Sequence, residues 1–387
     1  MNKKPRTLLV ELLSLPTSPF NEQYVAGYIR RWAAGRAGLE LGADEFGNLR
    51  LRLRRGRVAA ARPLVFSAHM DHPGFEAQAM IGPDRLRALW RGGVPAEYFV
   101  GAGVRFYSRG RWVRGRIESI RTARDPRGRV RVGSVVAEVR ANVEPGSIGM
   151  WDFPDPVIRG SRIYARGCDD VAGVAAVMAA IDELAGGRGP VDLYATFTRA
   201  EEVGFAGAIA GARNGLLPRK ARVVAVETSS EIPGVRMGDG PILRVGDKDA
   251  TFTPGLTAYC RAVAEDLARA DRRFAFQRKL MDAGTCESAA FCEYGYEATG
   301  LCIALGNYHN VNRRRRRLGP EYIDLNDWDA LVRWFVALGT SRRAYQPAGN
   351  PVFRGALDAL DRAYTPLLRQ TAGRVLVHGD GRSRPDS

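Results

Sequence analysis

Long apolar runs are missing from this chain of 387 residues. No stretch approaches the ~18 consecutive apolar residues of a membrane span, so a transmembrane role is not expected. Cysteine is sparse and irregular, five residues with no CxxC pair. An odd, unpatterned count makes neither a disulfide framework nor a cysteine-rich zinc site, and it predicts a reducing, cytoplasmic setting. The amino-terminal "MNKKPRTLLVELLSLPTSPF" starts basic, but Glu11 and the prolines interrupt any export-type apolar core. It reads as a helix entering a turn. Histidine is scarcer still, four in all, and two of them fall in one short stretch, "SAHMDHPGF".

What the chain has in excess is positive charge, +16 net. Nearly all of it is arginine, spread along the whole length. The densest run, Arg313–Arg317, lies in a loop-like segment without interleaved aromatics or a recognisable RNA or DNA motif. It reads as a solvated loop or an interface charge cluster, and nucleic acid is not an expected partner.

The texture along the chain predicts an α/β fold with an insertion. Residues 7–35 read as a helix broken by "SLPTSP" and resumed from Asn21. "LELGADEFGNLRLRLR" reads as a strand pair turning at Gly47-Asn48, and "PLVFSAHMD" as a buried strand. From about 74 to 158, short alternating segments separated by Gly and Pro predict a small all-β unit. The α/β pattern resumes with a helix from Val171, for which Asp169 or Asp170 is the N-cap candidate. Strand-like "VDLYATFTRAEE", "ARVVAVETS" and "TGLCIALGNYHN" follow, with helices near 204–213, 255–270 and 285–294 and a last helix over "LNDWDALVRWFVALGT". Residues 1–73 and 159–345 thus form one catalytic unit and 74–158 the insertion. Residues 346–387 form a C-terminal helix (about 354–369) and a disordered tail.

Candidate chemistry collects where the buried strands end. His69 and Asp71 follow one strand, Glu201 and Glu202 another, Glu227 a third and His309 a fourth, and Asp169 and Asp170 sit at a helix start. Ligand sites in open α/β sheets form beyond the carboxyl ends of strands. A mixed imidazole–carboxylate set suits zinc, cobalt or manganese better than calcium, and this supply is enough for two ions sharing a bridging carboxylate. His69 and Asp71, two apart on a strand, face the same way, whereas His72 should face the other way unless the strand has already ended, and reads as a bystander.

These residues, in this order, resemble the tetrahedral (TET) or glutamyl aminopeptidase family of dinuclear zinc peptidases. The matching segments are "AHMDHPGF", "GCDDVAGV", "RAEEVGFAGA", "VAVETS" and "NYHNVN", with "DEFGNL" and "GDGPILRVGD" as further likenesses over about residues 8–340. The resemblance implies a mixed-sheet α/β/α metallopeptidase core with a small inserted all-β domain. It implies two divalent metals, zinc first among them with cobalt or manganese as alternatives. His69 would bind one and His309 the other, with Asp169 bridging and Glu202 and Glu227 completing the shells. Glu201 would be the general base and Asp71 would orient His69. The Asp169–Asp170 peptide would be cis. The inserted domain would serve oligomer contacts or closure of the site, and the assembly would be a homo-oligomer. Four departures stand out: Val171 in place of Arg, Glu227 in place of Asp, "HNVN" in place of "HSP", and "AGTCESA" in place of "GGTDA". The expected activity is removal of N-terminal residues from peptides. The alternatives are amidohydrolase or deacylase chemistry on a small amide, and an inactive scaffold that binds nucleic acid.

Overall fold

The computed structural model describes residues 4–56, 63–346 and 351–376. The terminal "HGDGRSRPDS", expected to be disordered, lies outside the described residues.

An eleven-stranded mixed sheet forms the frame. Its centre is four parallel strands in the spatial order Val191–Thr198, Leu64–His69, Arg222–Ser230 and Glu297–Gly306. Antiparallel strands extend it on both sides, Leu49–Arg55 against the first and Glu321–Asp324 against the last. The strand Leu64–His69 is buried at every position, as a parallel strand covered on both faces must be. Its alternation sorts the layers. Leu64, Phe66 and Ala68 join the larger core, under helices Pro5–Leu13, Gln23–Ala33, Val171–Gly186, Pro254–Ala270 and Leu325–Thr340. Val65 points the other way, into a smaller core with Ala208 and Phe291 of the short helices Ala206–Arg213 and Glu287–Glu293. The result is three layers, α/β/α.

Helix Val171–Gly186 is apolar nearly all round, and thirteen of its sixteen residues are buried, which fits a helix enclosed between sheet and helices. Asp170 occupies its N-cap position but makes no side-chain cap bond. The expected cap is therefore a carboxylate with another environment. Gly173 makes room for it, because a Cβ there would stand 2.3 Å from Asp170 Oδ1. Helix Leu325–Thr340, by contrast, is capped through Asp324, which accepts from the backbone N–H groups of Asn326 and Asp327.

Six strands between Gly74 and Trp151 close into an antiparallel barrel with its own core of Phe75, Trp90, Phe99, Phe106 and Trp151. Closure removes free strand edges. One turn of helix, Ala96–Tyr98, is its only helical element among the described residues. One hairpin of the barrel is long: Arg111–Arg124 pairs with Val130–Val139, and its turn extends beyond the barrel wall.

The C-terminal helix, Pro351–Leu376, is longer than expected. Phe353, Leu357, Leu360, Tyr364, Leu367 and Leu368 on it are all exposed. Among the described residues no helix is long and apolar enough to cross a membrane.

Candidate metal centre

The parallel register brings the candidate residues to one level. Thr198 pairs with His69, so the turn after Thr198 delivers Glu201 and Glu202 beside it. Ala225 pairs with Ser67, which sets Glu227, two residues on, level with His69. Glu227 lies inside its strand, which continues to Ser230, and not at the strand end expected from "VVAV". The cis peptide Asp169–Asp170 enters from the start of helix Val171–Gly186. His309 arrives on a turn in which Asn307, His309 and Asn310 all have positive φ, 56°, 52° and 63°. Ala200, at the entrance to the Glu201 turn, has φ 51°. Left-handed backbone at non-glycine residues is costly and gathers where a site must be held in one shape.

Around His69 Nε2 stand Asp169 Oδ1 at 3.5 Å, Glu227 Oε1 at 3.6 Å and Glu201 Oε2 at 4.0 Å. Around His309 Nε2 stand Glu202 Oε2 at 3.0 Å and Asp169 Oδ2 at 3.8 Å. One carboxylate, Asp169, thus turns an oxygen to each imidazole. Two sets of ligand atoms, from His69, Glu201 and Glu227 and from His69, Asp169 and Glu202, each gather within 4.8 Å. His69 Nε2, His309 Nε2, Asp169 Oδ1 and Glu202 Oε1 are buried and have no hydrogen-bond partner. Buried polar atoms are nearly always satisfied, so four orphans converging on one space fit a group that supplies positive charge. A nitrogen–oxygen donor set of this kind fits a divalent transition metal.

Electrostatics point the same way. Burial first, then repulsion by the Asp169 charge, pushes the Glu227 carboxyl up to about 8. Burial raises Glu201 well above the ordinary carboxylate range, with Glu227 and Glu202 adding to it. Glu202 is raised well above that range by burial, then by Asp169. Burial opposes charge on His69, but the facing carboxylates of Glu201, Asp169 and Asp71 outweigh it and raise its pKa. Asp169 moves down despite its burial because His69 is its partner. So many carboxylates in one buried space repel each other, and cations would relieve that.

A consequence is measurable without substrate. Burial and the Asp169 charge also push Glu321 up to about 8 from its ordinary 4.5. In the native metal-free protein, Glu227 and Glu321 keep protons that the unfolded chain releases. Their contribution to stability is therefore full at acid pH and is lost as pH rises towards 8. In chelator, the melting temperature is expected to fall from about pH 5 to about pH 8, and a saturating divalent cation should cancel the fall by replacing the protons. A melting temperature that rises with pH in chelator would contradict an uncompensated cluster.

Several supporting residues were not legible in the sequence. His69 Nδ1 meets the backbone carbonyl of Asp71 at 3.1 Å, with the carboxylate at 3.6 Å. That carboxylate accepts the backbone N–H groups of Glu201 at 2.9 Å and Glu202 at 3.1 Å, so Asp71 straps the neighbouring turn as well as facing His69. His72, expected to be a bystander, is buried, and its ring lies between the Asp169 carbonyl at 2.8 Å and Asn310 Oδ1 at 3.0 Å. It thereby ties the two segments that carry Asp169 and His309. The strand has already ended at His69, so simple alternation does not apply to His72. Gly167 gives the ring its space, since a Cβ there would lie 2.5 Å from it. Glu287 is buried beneath the site and accepts from the hydroxyls of Ser67 and Thr198, both next to the histidine level. Glu321 accepts from the backbone N–H groups of Cys168 and Asp169 at 2.6 and 3.1 Å. It lies in "GPEYID", 153 residues from Cys168 in the "GCDD" backbone that it holds, and that meeting is a tertiary fact. The barrel also reaches the site, with its Gly93 carbonyl 3.4 Å from His309 Nδ1.

A three-layer α/β/α frame whose parallel strands bring imidazoles and carboxylates together defines the class of α/β proteins that carry a candidate metal cluster at one end of the sheet. The family model for M42 glutamyl aminopeptidase matches residues 47–315, and the chain belongs to that family of metallopeptidases. The fold is shared with solved structures. The TET1 peptidase of Pyrococcus horikoshii, described as assembling into a tetrahedron or a large octahedral shell, is similar with a TM-score of 0.69 at 22% identity, covering 87% of this chain and 99% of its own. The aminopeptidase APDkam598 of Desulfurococcus kamchatkensis is similar with a TM-score of 0.69 at 22% identity, covering 87% of this chain and 94% of its own. An M18-family aminopeptidase of Thermotoga maritima is similar with a TM-score of 0.60 at 12% identity, covering 87% and 97%.

Proposed function

We propose that this metal-dependent aminopeptidase acts on the free amino end of peptides in the cytoplasm as a homo-oligomer, with two divalent cations, zinc by preference, in the cluster. The single observation that carries the reading is the Asp169 carboxylate turned with one oxygen to His69 and the other to His309. His69, Glu227 and Asp169 would hold one cation, and His309, Glu202 and Asp169 the other. Bound there, the cations supply Lewis acidity and a water that loses its proton near neutral pH.

The protein's own residues do the rest. Glu201 faces the same space, within 4.0 Å of His69 Nε2. Its burial-raised pKa suits it to take the proton of the attacking water and hand it to the departing amine. Asp71 fixes the Glu201–Glu202 backbone, so both carboxylates keep their places while the proton moves. The barrel, in contact with His309 through Gly93, restricts solvent on that side. The family, the fold and the oligomeric neighbours support this reading. The inserted unit, residues 74–158, is assigned to site closure and subunit contact, and 1–73 with 159–345 to catalysis.

Peptides with a free α-amine, the same peptides N-acetylated, and N-acyl amino acids separate the alternatives. The metal-loaded enzyme is expected to cleave only the first set, acetylation lowering kcat/KM by at least about 10²-fold because it removes the charged anchor. Efficient deacylation with indifference to the α-amine would select the amidohydrolase reading.

A further inference from the structure

Two groups of arginines take no part in the metal cluster, one beside its ligand-bearing turns and the other a few residues along the chain from His309. The first is the turn of the long barrel hairpin. A Cβ on Gly204, just after the Glu201–Val203 turn, would lie 3.9 Å from Arg127 Nη2. A Cβ on Gly93 would lie 4.0 Å from Arg131 Nη1 and 3.8 Å from the His309 ring. The hairpin therefore spans from the Glu201–Glu202 side of the cluster to the His309 side. Asp125 organises its turn, accepting from the backbone of Arg127 and Arg129 at 2.9 Å each, from Arg129 Nε at 2.8 Å, and lying 3.7 Å from Arg131 Nε. Among the described residues Arg127 has no ion pair, so the turn keeps a surplus of positive charge.

The second group is Arg313–Arg317, which follows His309 by four residues. It forms a tight antiparallel turn, Val311 paired with Leu318 and Asn312 with Arg317. Val311 and Leu318 pack into the barrel core, and Gly319 N donates to Asn310 O at 2.8 Å. The turn is thus anchored at its base, while all five arginines are exposed. Among the described residues no carboxylate pairs with any of them. Five like charges on one anchored turn repel one another, a cost that an anionic ligand would remove. Chain length alone keeps Arg313 Cα within about 15 Å of His309 Cα.

We propose that Arg127 and Arg131 together with the Arg313–Arg317 turn bind acidic side chains at the third to fifth residues of a peptide whose first residue lies at the metal cluster. The inference rests on the aminopeptidase reading of that cluster. Distance selects the positions. The first residue is held within the buried cluster, and an extended chain advances about 3.4 Å per residue, so Arg127 and Arg131, beside the ligand-bearing turns, meet the nearer of these positions and the exposed Arg313–Arg317 turn the farther ones. Clefts lined by one sign of charge raise the local concentration of oppositely charged substrate, and the effect weakens with salt.

The test uses peptides that share one neutral N-terminal residue and carry Asp or Glu, or else Ser or Asn, at positions three to five. Binding is read by anisotropy on the metal-loaded Glu201→Gln protein, and turnover on the metal-loaded native enzyme. The acidic set is expected to bind about tenfold tighter at low ionic strength, with the advantage fading by about 0.5 M salt. Replacing all five of Arg313–Arg317 by Gln, or Arg127 and Arg131 by Gln, should cut the acidic-to-neutral ratio severalfold, while replacement by Lys retains most of it. Equal binding of the two sets overturns the inference. So does a preference confined to the first residue, or an acidic advantage unchanged in the Gln variants while salt-sensitive RNA binding is lost. Acid-selective binding without cleavage of any peptide would sustain this site and overturn the aminopeptidase reading instead.

Discussion

Glu201→Gln is expected to retain its metals and lose turnover by about 10³-fold, within the range ascribed to a positioned general base. The substitution is nearly isosteric. The backbone N–H of residue 201 still reaches Asp71, so the turn and the Glu202 carboxylate keep their places. What would disappear is the group proposed to accept a proton from the attacking water and return it to the amine. Because that transfer matters only in the transition state, kcat and kcat/KM should fall together while KM changes little. Metal analysis decides between two roles for this carboxylate, which stands 4.0 Å from His69 Nε2, little farther than Glu227 at 3.6 Å. If metal is lost together with activity, Glu201 is a ligand, and the base must be sought elsewhere in the cluster. Near-native turnover would rule it out of the chemistry altogether.

The second large effect is expected from Asp169→Asn. Its two oxygens face the two imidazoles, Oδ1 at 3.5 Å from His69 Nε2 and Oδ2 at 3.8 Å from His309 Nε2. An amide keeps the shape but removes the charge and turns one oxygen into a donor aimed at a cation or an imidazole. Metal content should drop from about two ions per chain to one or fewer, and kcat/KM by at least about 10³-fold, or about 4 kcal/mol of transition-state stabilisation. The metal-free variant should lose part of the fall in melting temperature with pH, because Asp169 is the charge that, after burial, raises Glu227 and Glu321. A variant that still binds two ions with native affinity would remove Asp169 from the bridging position.

The two effects differ in a way that separates base from bridge. One abolishes turnover with the metal content intact, and the other abolishes both. Neither depends on which residue the enzyme removes from a peptide.

Much of this architecture could be read from local pattern. Continuous apolar runs such as "PLVFSA" predict strands covered on both faces, and Leu64–His69 is buried throughout. Short alternating runs between glycines predict an all-β unit, and a closed barrel lies between Gly74 and Trp151. Where the pattern failed, a local rule met a tertiary contact. Alternation turns His72 away from His69, yet the chain leaves the strand there and the imidazole clamps Asp169 to Asn310. Asp170 sits where a helix cap belongs, yet its carboxylate points into the protein beside Gly173. Nothing local marks Glu287 or Glu321, which the fold buries and bonds to residues next to the cluster.

The sequence by itself determined the residue types, the strand and helix periods, and the order of the His and carboxylate positions. Those are properties of short segments, set by side-chain chemistry and by the repeat of the backbone. Only the tertiary structure decided which of those groups share a space. The parallel register levels His69 with Thr198, the left-handed turn at 307–310 swings His309 towards Asp169, and the barrel hairpin brings Arg127 near Gly204 and Arg131 near Gly93. Distances of 3 to 4 Å between residues more than a hundred positions apart arise from packing, and no local period encodes them.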